Sequence, residues 1–201
     1  MAQPEIYLVR HGETEWNRID RYQGQLDSPL TEAGQAQARA VGRRLAADLA
    51  DPAELTFHCS PLGRCRATAA LVAEEAGIDA ASIIYDDRLM ERRYGRWKGL
   101  AMDEISRRFP EDIEGRRRDY WTYVIPGGGE SMPALQARLG AWLAEQPDGA
   151  PLIAVSHGIA GKALRGLYLG LAPADTIALN EPQGAVMHLR DGRETILEGI
   201  F

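Results

Sequence analysis

Apolar positions along the chain switch between the period of a strand and that of a helix. Glu5 to Val9, EIYLV, is a short apolar run that stops at Arg10-His11-Gly12. Asn17 to Pro29 is polar and turn-rich, a loop. Thr31 then predicts a helix start, with Thr as N-cap and Glu32 in the first turn. Ala38, Val41, Leu45 and Leu49 follow on one helical face. Leu55 to Cys59 reads as a second strand. Ser60-Pro61 reads as a helix start, with Ser as N-cap and Pro at the first helical position. Leu62, Cys65, Ala69, Val72 and Ala76 form that helix's apolar face, and Gly77 ends it.

Ile83 to Tyr85 is a weak strand, and the charged, aromatic stretch Asp86 to Leu100 an irregular loop. Helical pieces interrupted at Pro110 follow. Pro126 to Gly129 is a turn, and Ser131 caps a helix reaching about Glu145. Pro151 to Ser156 is the clearest strand. It stops at His157-Gly158, before a helix to about Leu169. Ile177 to Leu179, Ala185 to Leu189 and Thr195 to Leu197 are candidate edge strands. Strands alternating with helices predict an α/β fold, a three-layer α/β/α sandwich with a mostly parallel sheet. In such sheets ligands bind beyond the carboxyl ends of the strands.

Composition narrows the function. With 201 residues, one domain over 1–201 is expected, with a short lid-like insertion around 100–130. A 45% hydrophobic content supplies a core, and no apolar run is long enough to span a membrane. The opening MAQPEIYLVRHGE lacks the pattern of a signal peptide, so a cytoplasmic protein is expected. A net charge of −6 argues against nucleic-acid and anionic-membrane partners.

FHCSPLGRCRATAAL, 57–71, raises the possibility of a thiolate nucleophile at Cys59. The cysteine-phosphatase loop needs five residues between Cys and Arg, and here Cys65 stands where that Arg belongs. Cys59 is therefore expected to be a buried strand-end cysteine. His58 and His188 lack partners at metal-ligand spacing, so no metal site is expected.

Three strand ends carry the chemistry. The first supplies Arg10, His11 and Gly12, the second Ser60 and then Arg64, and a later one His157 and Gly158. Two of these junctions add helix N-termini, so the set suits a doubly charged anion, most simply phosphate. A neutral imidazole at His11 is the competent nucleophile toward phosphorus, and neighbouring cations favour that neutral form. Arginine forks match phosphate oxygens and stabilise a transferring phosphoryl group without a metal. A leaving alkoxide also needs a proton, and Glu91, in the charged loop after the third strand, is one candidate general acid, with Asp86, Asp87 and Asp103 as alternatives.

These segments resemble the histidine phosphatase superfamily, the phosphoglycerate mutase-like proteins. The resemblance runs through LVRHGETEWN (8–17), RYQGQLDSPLTEAGQAQA (21–38), CSPLGRCRATAAL (59–71), LMERRYGRWKG (89–99), PGGGES (126–131) and AVSHGI (154–159), nearly the whole chain. It implies a phosphoglycerate mutase-like fold and His11 as phosphohistidine nucleophile. Arg10, Arg64 and His157 would complete the phosphate pocket. Glu91 would be proton donor and then base. Asn17, Gln23 and Gly24 match pocket-lining positions, and Tyr94 and Gly158 join them as substrate-binding candidates. Leu26, the loop Tyr94 to Trp97 and the 103–125 lid are expected to set specificity.

The resemblance admits more than one function. A phosphatase would hydrolyse a small phosphorylated metabolite, with no cofactor. A cofactor-dependent phosphoglycerate mutase would shield its phosphohistidine from water. Met102 replaces a mutase Lys, Ile159 replaces a mutase Asn, and the 66 positions from Glu91 to His157 are short for a mutase, all favouring hydrolysis. The wording ERRY (91–94) stays close to the mutases. Arg116, Arg117 and Arg118 resemble the paired arginines that hold the mutase carboxylate. On their own they read as a solvated basic helix face; facing the pocket, they would select a second negative group. A phosphoprotein- or phosphohistidine-directed binding protein is the remaining alternative, and an intact acid at Glu91 argues against it.

Overall fold

The computed structural model describes residues 3–148 and 151–201. Met1, Ala2, Gly149 and Ala150, included in the expected domain span and in the reading of the chain start, lie outside the described residues. The fold is mixed α/β. A six-stranded sheet runs in the order β3-β2-β4-β1-β5-β6. The strands are β1 (Glu5–Arg10), β2 (Thr56–Cys59), β3 (Ile84–Tyr85), β4 (Pro151–Ser156), β5 (Ala185–Arg190) and β6 (Arg193–Glu198). The first four are mutually parallel, with β1 paired to β4, β4 to β2 and β2 to β3; β5 and β6 add an antiparallel edge.

Side-chain alternation along β1 builds two cores. Tyr7 and Val9 face one side, where α2 (Glu32–Asp48) and α3 (Gly63–Ala76) pack through Val41, Leu45, Ala69 and Val72. Ile6 and Leu8 face the other, covered by Leu135, Leu139 and Trp142 of α6 (Met132–Leu143) and by Ala163, Leu164 and Tyr168 of α7 (Gly158–Leu169). Each such large side chain taken fully out of water contributes about 1.5–3 kcal/mol before entropy is counted. The remaining helices are short: α1 (Glu15–Arg18), α4 (Met102–Arg108), α5 (Pro110–Arg118) and α8 (Pro173–Ala178). Among the described residues, no helix is long and apolar enough to cross a membrane.

The expected caps hold at Thr31, whose side chain accepts from the Gly34 amide, and at Ser131, which accepts from Ala134. Gly77 ends α3 in the left-handed conformation at φ 70°. Two expectations need correction. Ser60 does not cap α3, which begins at Gly63. The Ser60 hydroxyl is taken by His157, and the carboxylate of Asp27 receives the Gly63 and Arg64 amides instead. Nor is 177–179 a strand. Pro173 opens α8, whose Thr176 packs against Gly166 of α7; a Cβ on Gly166 would lie 2.4 Å from the Thr176 hydroxyl.

The segment after β3 makes a small third core from Tyr94, Trp97, Ile105 and Ile125. Buried Asp112 ties it together, accepting from Arg96 Nε and from Trp97 Nε1 and Tyr123 Oη at 2.9 Å each. Hydrogen bonding to these donors outweighs burial and lowers the Asp112 pKa.

Close backbone contact fixes the start of α2 against the loop after β1. A Cβ on Gly34 would sit 2.0 Å from the Glu13 carbonyl oxygen, and one on Gly12 2.2 Å from that of Gly34. Gly34→Ala should therefore destabilise by about 2–4 kcal/mol, although alanine is the better helix former by about 1 kcal/mol. Gly140→Ala, where only Leu167 lies near the new methyl, should stabilise by about 0.5–1 kcal/mol. Urea unfolding of both variants checks the opposed signs.

Candidate active site

The carboxyl ends of β1, β2 and β4 open into a cleft of about 580 Å³. His11, 3% exposed, lies one residue past β1, where its amide donates to the Ser156 carbonyl. Its ring Nδ1 lies 2.8 Å from the Gly12 carbonyl oxygen. A carbonyl can only accept, so Nδ1 carries the proton and Nε2 keeps its lone pair. Burial, and then the charges of Arg64 and Arg10, push the His11 pKa well below its ordinary value.

The two arginines are held mainly by main-chain carbonyls. Arg64 donates to the carbonyls of Leu26 and Gly24 at 2.7 Å each and to Asp27 Oδ1 at 3.1 Å. Arg10 donates to the carbonyl of Glu181 at 2.6 Å. A carbonyl fixes a guanidinium without cancelling its charge. Among the described residues, Arg10 Nε, Arg64 Nε and Gln23 Oε1 are buried without a hydrogen-bond partner, and all three residues line this cleft. Buried donors are rarely left unpaired. Two orphaned guanidinium N–H groups beside an unprotonated imidazole suit an anion.

His157 packs edge-on to His11, with ring centroids 5.3 Å apart, although it lies behind the residues that line the cleft. Its Nε2 is 2.7 Å from Ser60 Oγ and 3.4 Å from Cys65 Sγ. Burial, Arg64, His11, Arg138 and Arg10 lower its pKa. Glu91, 7% exposed, accepts from the Arg92 amide at 2.7 Å and from the Ile159 and Ala160 amides in the first turn of α7. Burial nevertheless lifts its pKa above the ordinary carboxylate value, against the pull of the Arg92 amide and the Arg64 charge.

Asn17, Gln23, Gly24 and Tyr94 line the cleft as well. Gly24 holds φ +55° and turns its carbonyl to Arg64. Gly158 lies beneath Arg10 rather than on the cleft wall; a Cβ there would come 3.4 Å from Arg10 Nε. Leu26, expected on the specificity wall, is not part of the lining. The three consecutive arginines divide. Arg117 and Arg118 are exposed and bond to Glu114. Arg116 turns into the cleft, over Tyr120 at 4.7 Å and hydrogen-bonded to Tyr22 Oη. The solvated-face reading thus fails for Arg116, because the aromatic rings draw it inward.

The sequence pattern did not mark Arg21, Tyr22, Tyr120, Lys162 or Glu181, which also line the cleft. Lys162 was within reach of reasoning, since it stands four residues after Gly158 on the same helix face. Glu181 carries no comparable signal. Cys59 is fully buried with its thiol pushed up to about 12, so it is no thiolate nucleophile. His58 receives Trp142 Nε1, and His188 stacks on Tyr7 and bonds Glu5.

The chain matches the histidine phosphatase superfamily (branch 1) over residues 6–197. It is 42% identical over 174 residues to a protein named probable phosphoglycerate mutase GpmB from Salmonella choleraesuis (strain SC-B67), covering 83% of this chain and 75% of that one. A mycobacterial glucosyl-3-phosphoglycerate phosphatase structure in complex with VO3 superposes with a TM-score of 0.78 at 30% identity, covering 98% of this chain and 100% of that one. The alpha-ribazole phosphatase of Shigella flexneri shares the fold, with a TM-score of 0.77 at 24% identity and coverage of 98% and 95%. The chain belongs to the histidine phosphatase superfamily.

The buried imidazoles make stability depend on pH. A histidine whose pKa is lowered by folding takes up its proton in the unfolded chain first, near 6.5. The stability that neutral burial contributes is complete above that value and is lost as the pH falls through it. Glu91, raised on folding, contributes in the opposite direction. Urea midpoints should fall between about pH 7.5 and 5.5, and His157→Gln should flatten that slope while Glu91 is unchanged.

Proposed function

We propose that this chain is a metal-independent phosphomonoesterase that works through a phosphohistidine at His11. One domain would carry the reaction, with the 100–130 segment walling its cleft. The observation that carries the reading is the pair of unpartnered, buried arginine Nε groups beside the lone pair of His11 Nε2.

In the first step His11 Nε2 attacks phosphorus and the ester P–O bond breaks. The departing oxygen takes the proton of Glu91, whose raised pKa suits a donor. Arg10 and Arg64 hold the transferring oxygens, and His157 supports the same charge from behind His11. In the second step water attacks phosphorus, gives a proton to the Glu91 carboxylate, and the P–N bond breaks. Inorganic phosphate leaves and both groups return to their starting states.

Hydrolysis is favoured over mutase chemistry by two apolar side chains of the cleft. Met102 and Ile159 both line the cleft and offer no hydrogen bond to retain a hydroxylated intermediate between two transfers. The mutase reading keeps support from the Salmonella relative's name and from Arg116, which would hold a second anionic group. The same arginine suits a phosphatase of a small anionic metabolite, a substrate class consistent with the name of the mycobacterial phosphatase.

The chain should release phosphate from p-nitrophenyl phosphate in EDTA. His11→Ala should abolish turnover, Arg64→Ala should lower kcat by on the order of 10²–10³, and Cys59→Ser should leave most activity. No wild-type turnover, or turnover surviving His11→Ala, would sink the proposal. With 3-phosphoglycerate, phosphate release should outrun interconversion whether or not 2,3-bisphosphoglycerate is present; the reverse would establish the mutase. Glu91→Gln should cost about 10²–10⁴-fold on an alkyl phosphate, whose leaving oxygen needs a proton, and far less on p-nitrophenyl phosphate. Equal losses on both would rule out Glu91 as the donor.

A further inference from the structure

Glu181 follows α8 and reaches the phosphate end of the cleft in three ways. Its main-chain oxygen accepts from Arg10 Nη1 at 2.6 Å, and its Oε2 lies 3.8 Å from the same nitrogen. Its Oε1 pairs with Lys162 Nζ at 2.9 Å. Its carboxylate also occupies the space that a side chain at position 158 would fill, since a Cβ on Gly158 would fall 2.0 Å from Glu181 Oε2. Gly158 is the first residue of α7, and the next two amides are the ones that hold Glu91. One helix end therefore carries two carboxylates, the inner held by amides and the outer paired with cations.

We infer that Glu181 is a positioning residue of the phosphoryl-transfer site: it fixes Arg10 from one side and, from its seat on Gly158, sets a like charge beside the helix end that holds Glu91. The inference rests on Glu91 being the proton donor. The groups facing Glu91 include the Arg92, Ile159 and Ala160 amides, the Arg64 guanidinium, Arg138 and Gln25 at its main-chain oxygen, the neutral Tyr94 hydroxyl and Cys65 thiol, and the Glu181 carboxylate. The amides and the arginine charges favour the ionised form. The like charge of Glu181 is the neighbour that opposes ionisation, in addition to burial. Lys162 satisfies the outer carboxylate, so the two acids divide their tasks by environment. The arrangement has a cost, because a negative group beside Arg10 weakens the hold on an incoming phosphate.

Glu181→Gln keeps the main-chain bond to Arg10 and the side-chain shape while removing the charge. Expected are a shift of the alkaline limb of kcat/KM for an alkyl phosphomonoester to lower pH, by about half to one unit, and a tightening of inorganic phosphate binding, read by calorimetry, by about three- to tenfold. Gly158→Ala, which evicts the carboxylate from its seat, should move both in the same directions. An unmoved alkaline limb or an unmoved phosphate affinity in folded Glu181→Gln overturns the inference, as would a loss of kcat that is equal at every pH. Phosphate binding needs no turnover. A wild-type chain that binds phosphate and hydrolyses nothing would break the phosphatase reading and leave the affinity comparison intact.

Discussion

Positive charge only partly offset by carboxylates, gathered at the carboxyl ends of three parallel strands, is the constraint around which this protein is built. Arg10 and Arg64 are held in place chiefly by the carbonyls of Glu181, Leu26 and Gly24. Carboxylates in those positions would position the guanidinium groups equally well and spend the charge in doing so. Carbonyls leave most of it available, and two Nε groups remain without a partner. Burial first, and then the same arginine charges, favour the neutral form of His11 and His157, since imidazolium in that field would add to an existing repulsion. A doubly charged anion in the cleft would offset that field and give the two unpartnered Nε groups an acceptor.

The local structure follows from holding that field steady. The Gly12–Gly34 contact lets the loop after β1 lie against the first turn of α2, so the His11 backbone is pinned by main chain on both sides. Asp27 spans the loop 19–30 and the first turn of α3, accepting from two amides and from Arg64 itself. The phosphate-site arginine and the loop that lines the cleft are thereby one mechanical unit.

Much of this was legible in the sequence, for reasons that differ by residue. Arg10, His11, Arg64 and His157 could be placed together because each stands at a strand-to-helix junction, and parallel topology gathers those junctions on one edge. Glu91 was marked by its segment's resemblance rather than by spacing. The α3 cap was misread because Ser60-Pro61 is a sound local signal, overridden by a tertiary demand on the Ser60 hydroxyl from His157. Residues 177–179 were misread because three residues carry too little periodicity to separate a strand from a helical turn. Arg116 could not be separated from Arg117 and Arg118 by pattern, since the aromatic wall of Tyr22, Trp97 and Tyr120 is what distinguishes them. Glu181 was silent because its meaning lies in partners far from it in the chain: the empty face of Gly158, Arg10 and Lys162.

The small core around Trp97 and Ile105, closed by Asp112, has little share in the two cores that flank the sheet. The segment that carries it nevertheless supplies Tyr94, Met102, Arg116 and Tyr120 to the cleft wall, Tyr120 packing against the core beside α6 and α7. Much of the cleft wall and the strand-end residues are therefore carried on separately packed pieces of one chain. Such a division makes the cleft wall replaceable. A different insert between Glu91 and α6, packed on its own interior, could reshape that wall while Glu91 and the strand-end residues Arg10, His11 and Arg64 keep their places.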